Sequence, residues 1–336
     1  MIDKIILEDI ERIKRDVKKE DFEGKKVLVT GGAGFIGSWI CDVLMSLTAE
    51  VACLDNLSTG KMDFIDHLLD EPRFQFFNED VCTFKGDERY DLIFHLASHA
   101  SPREYQQNPI ETLRTNSLGS QNMAELTRRL DATILFASTS EVYGEAKVIP
   151  TPETYGGDVN PVGPRSCYFE GKRFAESLFM AFHKKYGLDV KIARIFNSYG
   201  PRLREDGLYG RVVSRFIMQA LKNHPITIYG DGKQTRSFCY VTDTVSGLML
   251  LTASEKACGK VVNIGNCEQI TILELAQRIK KLTDSESPLA FHPLQEDDPQ
   301  RRCPDISLAK KLLRWEWKIS LGEGLKRTIA WFQRNT

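Results

Sequence analysis

The stretch Val27-Leu28-Val29-Thr30-Gly31-Gly32-Ala33-Gly34-Phe35-Ile36-Gly37-Ser38-Trp39-Ile40 decides the fold. A short apolar run ends at glycines, and a helical segment opens directly after them. Gly31, Gly34 and Gly37 stand in a GxxGxxG arrangement, and such a triplet carries weight only between a strand and a helix. There the glycines permit a tight turn, close approach of backbone N–H groups to a pyrophosphate and close helix–sheet packing, while the helix N-terminus draws negative charge. A dinucleotide site is the expectation; a glycine-rich turn without a ligand is the competing reading.

Working outward, a second apolar run, Val51–Leu54, ends at Asp55, 18 residues beyond Gly37. A carboxylate there accepts hydrogen bonds from the adenosine ribose hydroxyls and repels a 2′-phosphate, so NAD is expected rather than NADP. The alternative is an aspartate that merely caps the Asn56-Leu57-Ser58 turn. Asp80 and Val81, following the run Phe74–Phe77, are placed in the same way at the adenine edge. Further apolar runs at 91–96, 132–138 and 190–196 alternate with helical stretches at 35–47, 109–130 and 169–186. This alternation predicts an α/β fold with a Rossmann-type doubly wound parallel sheet.

The flanks organise around that sheet. Ile6, Ile10, Ile13 and Val17 recur at helical spacing and predict an amphipathic helix over 3–19. Residues 1–24 are thus read as an N-terminal helical extension and 25–197 as the NAD-binding domain, with later contributions from about 236–265. Residues 198–336 are read mainly as a smaller mixed α/β lobe for substrate, closing over the sheet end where ligands of such sheets bind. Its expected helices are 211–222, 243–253, 271–282 and 321–334, with strands at 227–229 and 261–264, and a loop at DDPQRRCPDI (297–306).

Across 336 residues, 45 Lys and Arg against 46 Asp and Glu leave a formal charge of -1, which removes the simplest argument for a nucleic-acid or anionic-membrane partner. Any bound anion must be held by local geometry. The eight cysteines are scattered with no metal-ligand spacing, as expected for reduced thiols in a cytoplasmic protein without a metal site. The charged first 24 residues and the lack of an 18-residue apolar run predict neither a leader nor a membrane span.

Tyr168 and Lys172 form a YxxxK pair at a helix start. Their i, i+4 spacing puts both on one face, where the ammonium is expected to lower the phenol pKa and make a base near neutral pH. Alone, the pair reads by default as an exposed Tyr/Lys helix pair. Ala137-Ser138-Thr139, ending the preceding strand, adds a hydroxyl for the same substrate oxygen. The glycine turn, strand-end Ser/Thr and YxxxK in this order resemble the short-chain dehydrogenase/reductase superfamily in its extended, sugar-nucleotide-modifying form.

The resemblance then narrows. HLASHASPREYQQNPIETLRTNSLGSQN, FASTSEVYGE, NPVGPRSCYFEGKRFAE, KIARIFNSYGPRL, GRVVSRFIMQAL, IYGDGKQTRSFCYVTD and DDPQRRCPDI are similar to segments of UDP-glucuronate decarboxylases (UDP-xylose synthases), over about Lys25 to Phe332. It implies tightly held NAD, UDP-glucuronate as substrate, and a homodimer built through a four-helix bundle. Phe35, Ile36, Asn56, Leu96, Ala97, Ser98 and Asn116 join the cofactor set of Gly31, Gly34, Gly37, Asp55, Asp80, Val81, Tyr168 and Lys172. Ser140, Asn197, Arg211, Tyr229, Arg236 and Arg302 are the substrate set, with Arg236 and Asn197 at the diphosphate and Arg302 at the sugar.

Thr139-Ser140-Glu141 resembles the Thr-Asp-Glu trio of nucleotide-sugar 4,6-dehydratases, with serine replacing the aspartic acid, so water elimination loses its proton source. Glu141 is kept, as in the decarboxylases; a strand-end glutamate in a salt bridge is its alternative. The implied chemistry is oxidation at C4 with Tyr168 as base, loss of carbon dioxide from the resulting β-keto acid, protonation at C5 and reduction at C4. The rival readings are 4-epimerisation of UDP-glucuronate, other nucleotide-sugar 4-oxidation or dehydration chemistry, and an NAD-binding regulator. Two positions depart from the pattern. Phe169 stands where Asp or Cys is usual, and His99 replaces a Pro. Both are expected to flank the sugar pocket, His99 as a sugar contact or in a structural role.

Overall fold

The computed structural model describes residues 2–86, 88–204, 211–294 and 296–335. The apolar runs become strands β1 (Lys26–Thr30), β2 (Glu50–Leu54), β3 (Phe74–Phe77), β4 (Leu92–His95), β5 (Thr133–Thr139) and β6 (Asp189–Ile195). Short strands β7 (Ser198–Tyr199), β8 (Ile226–Tyr229), β9 (Thr235–Ser237) and β10 (Cys239–Tyr240) follow, and the chain returns with β11 (Lys260–Ile264). Seven strands make one sheet in the order β11-β6-β5-β4-β1-β2-β3, all pairs parallel. β12 (Gln269–Thr271), β13 (Leu289–His292) and β14 (Arg301–Arg302) complete the strands.

Alternation along each strand explains the two-sided burial. Val27 and Val29 enter one apolar cluster and Leu28 the other; Leu135 and the pair Ile134 and Phe136 divide likewise. Helices α1 (Lys4–Asp16) and α2 (Phe35–Ser46) feed the first cluster. The other face is covered by α5 (Ser120–Leu130) and α6 (Ser166–Tyr186), preceded by the short α3 (Pro102–Gln107) and α4 (Pro109–Arg114). Later helices are α7 (Val212–Leu221), α8 (Val241–Ala253), α9 (Ile272–Thr283), α10 (Ser307–Leu313) and α11 (Leu321–Asn335). Strand order reverses between β1 and β4, so the loops leaving them part and open a crevice.

Three local expectations change. The helix expected over 109–130 is α4, a π-helical turn at Thr115–Gly119, then α5. Gly119 sits against Val81, whose Cγ1 would lie 2.7 Å from an added Cβ, so the interruption fits a close approach that helical periodicity does not encode. The first helix ends at Asp16 instead of 19, with Val17 extended. Ile6, Ile10, Ile13 and Val17 are all buried in the first cluster, and the buried Asp9 accepts from Tyr240 Oη at 2.6 Å and meets Arg327 at 2.9 Å. Finally, the expected loop at 297–306 contains β14, which pairs with β9 and sets Arg302 opposite Arg236.

A buried ion pair ties α2 to the segment after β7: Arg202 Nη1 lies 2.7 Å from Asp42 Oδ2, and His67 Nε2 is 2.7 Å from Asp42 Oδ1. The Arg202 guanidinium stacks over Trp39 at 5.4 Å. Asp42→Ala strands a buried guanidinium, and the expected cost is about 3–5 kcal/mol. A urea melt checks it: the midpoint falls with little change in slope.

Candidate active site

The crevice is a cavity of about 400 Å³ where the C-terminal ends of the central strands meet the second lobe. At its floor Gly31 has φ +70, and a Cβ there would lie 2.9 Å from Ala97 N; one on Gly37 would lie 2.1 Å from Gly31 O. Only glycine fits either position. Gly34 caps α2 without a side-chain hydrogen bond, leaving first-turn N–H groups for an anion.

Asp55 lies at the cavity edge, its Oδ2 accepting from Ala33 N at 3.0 Å and Oδ1 from Leu57 N at 2.8 Å. The turn-capping reading is thus realised, and the carboxylate also lines the cavity where the second reading places the ribose. Burial pushes its carboxyl above the usual range against those two N–H groups. Asp80 accepts from Asn56 Nδ2 at 3.3 Å and from Cys82 N at 2.7 Å. Phe35, Ile36, Val81, Leu96, Ala97 and Ser98 also line the cavity. Asn116 does not; it lies beneath Gly171, with Oδ1 buried and unpaired among the described residues. The cradle fits a dinucleotide diphosphate with a free ribose 2′-hydroxyl, and the residues present accommodate NAD.

Tyr168 and Lys172 stand on the first turns of α6, facing the end of β5. Lys172 Nζ donates to Ala137 O at 2.9 Å, and burial lowers its pKa to about 7 against the pull of Glu176. The Tyr168 phenol is pushed up to about 12 by burial, with a Thr139 hydrogen bond drawing it back. In the protein alone, desolvation thus dominates the phenol, and Lys172 is not among its leading influences. The hydroxyls also divide: Ser138 Oγ is committed to Glu176 at 2.5 Å, leaving Thr139 for the phenol. Beneath Tyr168 lies Tyr105, stacked at 5.1 Å between centroids and 3° between planes.

Next to this couple, five charged groups alternate in sign: Arg302, Glu141, Arg165, Asp298, Arg236. Glu141 pairs with Arg302 Nη1 through one oxygen and with Arg165 Nη2 at 2.9 Å through the other. Asp298 Oδ1 then joins Arg165 Nη1 at 3.2 Å and Arg236 Nη2 at 3.0 Å. Burial alone would raise the Glu141 carboxyl, but Arg165 and Arg302 hold it down at about 2. Three guanidinium groups against two carboxylates leave a local positive balance, suited to an anionic ligand. Arg302 Nη2 is buried and unpaired among the described residues, whereas Arg301 is exposed.

Ser140, Asn197, Arg211 and Tyr229 line the same cavity. Asn197 takes φ +24 and donates through Nδ2 to Ser237 O at 3.2 Å, while the Arg211 guanidinium lies 5.8 Å from the Phe35 ring centroid. Gly210, which opens the run containing Arg211, lies outside the described residues. Sequence reading missed Arg165, Asp298, Tyr105 and Arg215. Arg165 sits three residues before Tyr168, a helical spacing that could have flagged it. Arg215 faces Tyr229 at 5.1 Å, and burial lowers its pKa to about 10.

A phenol and a strand-end hydroxyl over a dinucleotide turn can move a proton to and from an oxygen whose carbon exchanges hydride. That chemistry defines a nicotinamide-dependent short-chain dehydrogenase/reductase. Residues 27–265 match the model of the NAD dependent epimerase/dehydratase family. The chain is 50% identical over 310 residues to UDP-glucuronic acid decarboxylase 1 of Danio rerio, covering 92% of this chain and 73% of that protein. It is 48% identical to UDP-glucuronic acid decarboxylase 1 of Arabidopsis thaliana, covering 92% and 70%. Among solved structures, UDP-glucuronic acid 4-epimerase of Bacillus cereus, in complex with UDP-glucuronic acid and NAD, is similar at TM-score 0.83 and 30% identity, over 93% of this chain and 100% of that one. UDP-glucose 4-epimerase of Thermotoga maritima is similar at TM-score 0.85 and 32% identity, over 92% and 99%. The chain belongs to the NAD dependent epimerase/dehydratase family and, within it, to the UDP-glucuronic acid decarboxylases.

Proposed function

We propose that this protein decarboxylates UDP-glucuronate to UDP-xylose with bound NAD, and that Tyr168, Lys172, Thr139, Glu141 and Arg302 carry the chemistry. The single observation that supports this most is Glu141, clasped by Arg165 and Arg302 beside the Tyr168–Thr139 couple. NAD, when bound, supplies the hydride acceptor and donor at C4. Tyr168, as its phenolate, takes the proton of the 4-hydroxyl while Thr139 holds the same oxygen. The 4-ketone is β to the C6 carboxylate, so the C5–C6 pair flows into an enolate as carbon dioxide leaves. Tyr168 and Thr139 stabilise the enolate oxygen. Glu141 stays ionised and therefore orients a water for protonation at C5 instead of donating its own proton. The unpaired Arg302 Nη2 is placed to turn the sugar carboxylate out of the ring plane, and Arg236, Asn197 and Arg211 serve the diphosphate.

Proton NMR of UDP-glucuronate turnover, with carbon dioxide measured in parallel, tests this directly. UDP-xylose with stoichiometric carbon dioxide is expected; a retained carboxylate with inversion at C4 establishes the epimerase reading instead.

The domain division read from sequence is kept in this proposal, supported by the return of β11 to the main sheet. So is a homodimer. Ile110, Leu113 and Leu118 stay exposed around α4, as does Phe174 on the neighbouring α6, an apolar surface suited to a four-helix bundle with a second copy. Phe174→Glu is expected to shift the protein from dimer to monomer in light scattering. Among the described residues no helix is long and apolar enough to cross a membrane. All eight cysteines are free, which supports a cytoplasmic setting.

A further inference from the structure

We propose that the imidazole of His99 is a contact of the adenosine-diphosphate half of the bound dinucleotide and not of the sugar substrate. His99 follows Leu96-Ala97-Ser98, the segment whose backbone lies against Gly31. It lines the cavity while only 8% exposed, and its Nδ1 is buried with no hydrogen-bond partner among the described residues. An unpaired buried nitrogen is costly, and rotation about χ2 into the cavity recovers that cost once a polar ligand is there.

Two charged neighbours of the ring agree with that placement. They are Glu111 on α4 and Asp80 after β3, the second of which lines the cavity next to Asn56. Burial holds the imidazole below its usual pKa against those two carboxylates, so the neutral ring carries one donor and one acceptor. Asp55, Asp80 and Glu111 can only accept when ionised, and a diphosphate also accepts. His99 supplies a further side-chain donor there, next to Asn56, whose Nδ2 is spent on Asp80. The sequence reading of residue 99 beside the sugar pocket, as a sugar contact or in a structural role, is the alternative that the test separates from this placement.

The test uses the holoenzyme loaded with radiolabelled NAD. His99→Ala should release label about 3- to 10-fold faster in a chase with excess NAD, the effect of one lost neutral hydrogen bond. His99→Gln, which keeps a donor, should recover most of the difference. Calorimetric affinity for UDP on the same proteins should not change, and this also reports an intact fold. The ADP-ribose concentration that displaces half of the label should stay constant, because ADP-ribose carries the same contact. Unchanged release, a loss confined to UDP, equal losses of both, or displacement of the variant's NAD by less ADP-ribose would each overturn the assignment. The inference depends on NAD binding and not on the decarboxylation reading: a wild type that shows the His99 effect and makes no UDP-xylose sinks only the latter.

Discussion

Tyr168→Phe should lower kcat for UDP-xylose formation about 10³-fold while NAD stays bound. The phenol is buried, hydrogen-bonded to Thr139 and, in the protein alone, pushed up to about 12, so it receives the 4-hydroxyl proton only once ionised in the loaded site, and phenylalanine has no oxygen with which to do so. Lys172 cannot substitute, because its Nζ is held by Ala137 O at 2.9 Å. The ring itself packs on Tyr105, and phenylalanine preserves that stack, so the loss is chemical and not structural. Single-turnover absorbance of reduced nicotinamide checks it: the first reduction should vanish. Undiminished reduction would remove Tyr168 from the role of base.

Glu141→Gln should cost about 10²-fold in kcat with a much smaller change in KM, as expected for a charge needed only at the reacting centre. The glutamine keeps the shape but leaves Arg165 and Arg302 without their shared counter-charge. The change also has a pH signature. The folded carboxyl lies at about 2 against an ordinary 4.5, so its stabilising contribution is complete above about 4.5 and disappears as pH falls through 2. The stability gap between wild type and variant, read from urea midpoints, should narrow across that window. A constant gap, or a variant with full kcat, would contradict the assigned role.

The dinucleotide half of the site was legible because its chemistry is local. Gly31, Gly34, Gly37, Asp55, Tyr168 and Lys172 each declare themselves within a few residues of a strand end or helix start, where backbone geometry alone positions them. The substrate half was legible only through resemblance, and even then Arg165 and Asp298 were passed over. Arg302 reads locally as one of two adjacent arginines in a proline-bounded loop. It is β14 pairing with β9 that buries it and brings it to Glu141, 161 positions earlier in the chain.

By itself the sequence determined a doubly wound sheet, a nicotinamide dinucleotide preference and a Tyr/Lys pair, because periodicity and fixed spacing are properties of neighbouring residues. Only the tertiary structure decided that burial dominates the Tyr168 phenol and that Ser138 is spent on Glu176 while Thr139 is not. Desolvation and charge pairing depend on which distant groups share a cavity, and no local pattern carries that information.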